Sequence, residues 1–116
     1  MFAVIYKFHI YQEAEEKYKK FWNQIATYFI EHRGALGSCL HKTADGEWVA
    51  YSRWPDKETW GASWPQEGME PSKTLSPEIQ AVLSDLKDCF DKDHPFQEIC
   101  MEVIDDLLLT KGISHD

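Results

Sequence analysis

Residues 46–60 read GEWVAYSRWPDKETW. The stretch starts at a glycine, alternates through Trp48, Ala50, Ser52 and Trp54, stops at Pro55, and resumes in polar helix-forming residues up to Trp60. Alternation at period two is a strand signal. Proline lacks the amide a strand ladder needs, so the strand ends at Trp54. Asp56 is a good N-cap for a short helix over Lys57 to Ser63. Trp48, Ala50, Ser52 and Trp54 share one face; Val49 and Tyr51 share the other. A strand with no clean polar face predicts a sheet covered on both sides.

Working back from Gly46, Ala44-Asp45-Gly46 predicts a tight turn, with positive φ readily adopted by Asp-Gly. Leu36 to Thr43 then reads as the strand paired to Glu47–Trp54 in a hairpin. At the N-terminus Phe2, Val4, Tyr6, Phe8 and Ile10 alternate with Ala3, Ile5, Lys7 and His9, a further strand. From Glu13 the period lengthens: Tyr18, Phe21, Trp22, Ile25, Phe29 and His32 recur at three and four, and His32-Arg33-Gly34 supplies the stop. Glu13 to Glu16 carries the acids that a helix N-terminus favours.

Forward of Trp60, Trp64-Pro65 closes the short helix, and residues 65–77 form a polar segment with three prolines and a glycine. A loop of that length reads as a functional lid or as a simply mobile segment. Ser76-Pro77-Glu78 opens another helix with the stripe Ile79, Val82, Leu83, Leu86 and Phe90. His94-Pro95 breaks it, and Phe96 to Ile104 reads as the fourth strand, with Ile99, Met101 and Val103 on one face. The order is strand, helix, strand, strand, helices, strand. It predicts a single α+β domain over residues 1–116: a ferredoxin-like βαββαβ fold with a four-stranded antiparallel sheet, core 2–104 and a C-terminal tail 105–116. Helices cover one sheet face. The other, also apolar, predicts a homodimer packed sheet to sheet.

Composition narrows the partners. Acidic residues outnumber basic ones by 20 to 12, a formal net charge of −8, with no basic block to displace counterions from phosphates. Nucleic acid and an anionic membrane surface are poor partners. The first apolar run is short, alternating and followed by charge, with no basic residues before it. It reads as a strand, not a signal peptide or membrane span, so a cytoplasmic setting is expected. Cys39, Cys89 and Cys100 are an odd, scattered set with no CxxC. They read most simply as small buried hydrophobes. No metal-binding spacing, glycine-rich nucleotide motif or phosphate loop is present.

On GEWVAYSRWPDKETW, and on the opening FAVIYKFHI followed by an acidic helix, the chain resembles the antibiotic biosynthesis monooxygenase family of dimeric α/β-barrel proteins, over about residues 2–104. The resemblance implies a pocket between the sheet and the helices of each subunit. It implies an activity drawn from cofactor-free oxygenases of polyphenolic polyketides, quinol oxidases or haem-degrading monooxygenases. Haem degradation in that family uses an Asn on strand one, a Trp on the second helix and a haem-ligating His just after it. Tyr6 stands at the Asn position and Trp64 within one residue of the Trp, but no histidine falls between Lys42 and Asp93. The missing histidine leaves haem degradation as a third reading, behind the two below, and a Soret band on haem addition would be its sign.

The leading expectation is a cofactor-independent monooxygenase or oxidoreductase for a planar aromatic, quinol- or polyketide-like substrate. Tyr6 would orient the substrate as the catalytic residue, Trp22, Trp54, Trp60 and Trp64 would wall its pocket, and residues 65–77 would form a lid. Each admits a plainer reading. Tyr6 is equally a core tyrosine with its hydroxyl on a backbone group. The tryptophans are equally the closure of the helix–sheet core. His9 and His41 belong to the sheet face that meets the partner subunit, and His32 caps a helix. The alternative from another class is a non-catalytic dimeric module that binds a small apolar ligand or only assembles.

Overall fold

The computed structural model describes residues 1–63 and 75–108. Four strands, β1 (Phe2–Phe8), β2 (Gly37–Lys42), β3 (Trp48–Trp54) and β4 (Gln97–Glu102), form one antiparallel sheet in the order β2-β3-β1-β4. Helices α1 (Glu15–His32) and α3 (Pro77–Lys87) pack together on one face of it, and α2 (Lys57–Ser63) follows the corner after β3. This is the ferredoxin-like α+β arrangement expected from the element order.

The hairpin carries a chemical difference from its expected form. Gly46 alone takes positive φ, at +89°, while Asp45 does not. The Gly46 amide donates to the Thr43 carbonyl at 3.0 Å, and the Thr43 amide to the Glu47 carbonyl at 2.8 Å. A three-residue turn closed by a left-handed glycine needs one positive φ rather than two. At the corner, the Thr59 amide donates to Asp56 Oδ1 at 2.7 Å, so Asp56 caps α2 as its position predicts. Ser76 caps α3 through the Ile79 amide at 3.3 Å, with Pro77 as the first helical residue. Gly34, at φ +84°, ends α1, and a Cβ there would meet Thr59 Cγ2 at 3.0 Å. The α1 exit and α2 are thus fitted backbone to side chain. Ser63 holds them together, donating to the Arg33 and Thr59 carbonyls.

Phe2, Val4, Phe8, Trp48, Ala50 and Trp54 are buried against Tyr18, Ile25, Phe29, Ile79 and Leu86 of the helices. Strand β1 is shorter than its alternation: Ile10 leaves the ladder and makes an isolated bridge with Phe90. The opposite sheet face has a continuous apolar row, Cys39–Tyr51–Ile5–Ile99, one residue from each strand in register. Ile99 is 42% exposed there. At its margin Arg53 pairs with Asp106 at 2.7 Å, which draws the segment after β4 toward that face.

One expectation is corrected. Cys39 and Cys100 are exposed, and Cys89 alone is a buried hydrophobe. The first two sit on the edge strands β2 and β4, where no element among the described residues buries them. The His9 ring stacks on His94 at 4.0 Å between centroids, and the His9 carbonyl accepts from the Asp91 amide. The loop before β4 folds back onto the end of β1.

Candidate functional site

A cavity of about 420 Å³ opens between the sheet and helices α1 and α3. It exists because Ala50 and Ser52, both small, occupy the middle of β3 between Trp48 and Trp54, while Ala26, also small, leaves the facing side of α1 unfilled. One end is closed by Phe8, Tyr18, Phe90 and Phe96, with Phe8 stacked on Phe96 at 5.8 Å and edge-on to Phe90 at 5.2 Å. Phe29 and Trp54, 5.9 Å apart, close the other. The walls are therefore flat and apolar, suited to a planar ring system.

Four of the expected site residues can be placed. Tyr6 reaches the cavity from β1, Trp22 from α1, Trp54 from β3 and Trp60 from α2. The Trp60 indole N–H donates to the Tyr6 hydroxyl oxygen at 3.2 Å, and the Trp60 ring also leans on Phe2 at 5.4 Å. Trp54 is 1% exposed, and its N–H donates to Ser52 Oγ at 3.0 Å. It is a core residue and a cavity wall at once. Trp64 and most of the proposed lid, residues 65–74, lie outside the described residues; Leu75 at its end is buried.

The cavity also brings in residues that the sequence reading passed over. Glu98 comes from β4, directly opposite Tyr6 in the β1–β4 register, and Lys87 from the end of α3. Among the described lining residues Glu98 is the one carboxylate and Lys87 the one amine. Glu98 was detectable in principle: it alternates with Ile99 and Met101, and so faces the helices.

Burial pushes the Tyr6 phenol up to about 12, against the opposing pull of the Trp60 hydrogen bond, and the Glu98 carboxylate adds to the rise. Burial pushes Tyr18 up as well. Both stay protonated at neutral pH, so Tyr6 is a hydrogen-bond donor and not a base. The raised value has a consequence for stability. The unfolded chain ionises near 10 and holds fewer protons than the native one above that pH. The contribution is fully present below pH 10 and is lost as pH rises toward 12. Tyr6 alone is expected to cost about 2–3 kcal/mol by pH 12. Urea unfolding at pH 9 and pH 11.5 measures it, and equal midpoints in wild type and Tyr6→Phe would contradict it.

Haem would need an axial ligand. No histidine, cysteine or methionine lines the cavity among the described residues, and protonated tyrosines are poor ligands. No cluster of three or more His, Cys, Asp or Glu that could hold a metal ion occurs among them either. No helix among the described residues is long and apolar enough to cross a membrane.

No protein-family model matches the sequence, and no curated protein matches it. Solved structures do. Rv0793 from Mycobacterium tuberculosis superposes with a TM-score of 0.65 at 18% identity, covering 92% of this chain and 98% of that one. An antibiotic biosynthesis monooxygenase superposes with a TM-score of 0.65 at 13% identity, covering 90% of this chain and all of that one (100%). The fold is that of the antibiotic biosynthesis monooxygenases. SnoaB from Streptomyces nogalater, a cofactor-independent oxygenase, is another protein of this fold, with a TM-score of 0.66 at 12% identity over 91% of this chain and 95% of its own. At these identities the antibiotic biosynthesis monooxygenase likeness is one of backbone architecture, and chemistry has to be argued from the cavity itself.

Proposed function

We propose that the protein is a small oxygenase that oxidises a planar, electron-rich aromatic substrate without a prosthetic group. One observation carries the reading: an apolar, ring-walled cavity of about 420 Å³ with the Tyr6–Trp60 hydrogen-bonded pair in its wall. An electron-rich phenolate or carbanion can pass one electron to dioxygen directly. Recombination of the resulting pair gives a peroxide, which loses water to leave a new carbonyl. Such a reaction asks the protein to exclude water, orient the ring and hold the anionic oxygen. The aromatic walls do the first two. The Tyr6 phenol, kept protonated by burial and oriented by the Trp60 N–H, does the third. Trp22 and Trp54 form the flat walls, and a second copy of the chain packed on the open sheet face completes the assembly. The cofactor-independent oxygenase SnoaB, which shares the fold, lends the reading support.

Tyr6→Phe keeps the ring and removes the donor. It is expected to lower kcat for anthrone oxidation about a hundredfold with little change in KM, the signature of a lost oxyanion contact. Oxygen consumption with a panel of anthrones and quinols measures it. A wild-type protein that binds these compounds by tryptophan quenching but consumes no oxygen is instead a non-catalytic carrier of apolar ligands. A pure assembly module would need a filled helix–sheet space, and the cavity weighs against it.

A further inference from the structure

The Tyr6–Trp60 pair stabilises an anion but cannot make one. Something must take the proton, and burial disqualifies Tyr6 and Tyr18 as bases. Lys87 enters from the end of α3, not from a strand beside Tyr6. Trp22, Trp54 and Trp60 carry only donors. Ser38, Tyr51 and Ser52 are the remaining polar lining residues; Tyr51 shares the opposite sheet face with Ile5 and Cys39, and Ser52 Oγ is already bonded to the Trp54 indole. Among the described lining residues one carboxylate is left.

We propose that Glu98 is the base of this site, and that its substrates are ring ketones or phenols carrying an acidic C–H or O–H beside the anion-holding Tyr6. The proposal rests on the oxygenase reading for its place in catalysis, but not for its chemistry. Glu98 lies opposite Tyr6 across the β1–β4 pairing, with both side chains on the helix side of the sheet and both lining the cavity. Adjacent cross-strand residues are about 5 Å apart at Cβ, so a ligand atom can touch both groups. Glu98 is exposed at the cavity rim, where solvent can carry the abstracted proton away. Its field reaches Tyr6, consistent with that proximity. Among the described residues its side chain has a long contact from Cys100 Sγ at 3.9 Å and no salt bridge. It is therefore not committed to an ion pair that would weaken it as a base.

The step is a simple proton transfer. A carboxylate oxygen of Glu98 takes the proton from the activated carbon or hydroxyl. The electron pair of that bond moves into the ring system and onto the substrate's oxygen. The Tyr6 O–H then donates to that oxygen. No oxidant is consumed until dioxygen enters, so the proton step can be read by itself.

The test uses anthrone under argon in deuterated buffer, with loss of the methylene proton signal followed by NMR. The wild-type protein is expected to accelerate exchange over buffer. Glu98→Gln is expected to lose about a hundredfold of that acceleration, and Glu98→Asp to keep part of it. Anthrone binding, read by tryptophan quenching, is expected to persist in Glu98→Gln. Exchange as fast in Glu98→Gln as in wild type, or wild-type exchange no faster than buffer, would overturn the assignment. So would loss of anthrone binding in Glu98→Gln, since a base acts after binding. The same samples in air separate the two readings. Exchange without oxygen consumption keeps Glu98 as the base and removes the oxygenase. Oxygen consumption without exchange does the reverse.

Discussion

Trp54→Ala is expected to remove about 3–5 kcal/mol of stability, the largest loss for any single side chain in the fold. A domain of this size holds only about 5–15 kcal/mol in total, so the variant sits near its unfolding threshold. The reason is position. Trp54 is the last residue of β3, paired with Phe2 of β1, 1% exposed, and packed on Phe29 of α1. Its ring seals the sheet to α1 just where the chain turns at Pro55. Truncation enlarges a cavity that is already present, so the surrounding residues have little reason to collapse inward. It also leaves Ser52 without the indole N–H. Trp60→Ala makes a useful contrast, because Trp60 is only partly buried and lies on a short helix. It is expected to cost about 1–2 kcal/mol. Urea midpoints at constant m-value measure both. Equal shifts for the two variants would show that Trp54 is not the closure.

The contrast explains what could be read from the sequence. Strand ends, caps and turns are local, and GEWVAYSRWPDKETW contains all three, so the hairpin, the Asp56 cap and α2 follow from neighbouring residues. The same holds for Ser76-Pro77 at the start of α3. The cavity is not local. It depends on Ala50, Ser52 and Ala26 being small at positions that face each other across layers, and no periodicity shows that. Tyr6 and the tryptophans were found because large rings on a helix-facing side are conspicuous. Glu98 was missed because a glutamate between Gln97 and Ile99 looks like an ordinary strand polar residue. Only the β1–β4 register puts it beside Tyr6. The cysteines went the other way. Their usual burial was assumed, but edge strands leave Cys39 and Cys100 uncovered.

Ile5→Asp is expected to convert a dimer into a monomer. We propose the dimer from the open sheet face, whose centre is the row Cys39–Tyr51–Ile5–Ile99. Ile5 lies on a central strand in that row, with Tyr51 on one side and Ile99 on the other. Val49 and Met101 extend the apolar surface along their strands, and Lys7 and Arg53 mark its margins. A sheet apolar on both faces is stable in water only if both are covered. The helices cover one, and a second copy supplies the matching surface by two-fold symmetry. A carboxylate at Ile5 would meet its own copy or the partner's apolar row without a counter-charge, a cost that no interface of this kind offsets. Ile99→Asp tests the same face at the edge strand, where 42% exposure leaves folding of the single chain little affected. Sizing chromatography with light scattering at micromolar concentration reads the outcome. A wild-type monomer, or dimers retained by both variants, would sink the proposal. Dissociation in both, with the cavity's anthrone binding preserved, would show that each subunit holds its own site and that the second copy serves the sheet rather than the chemistry.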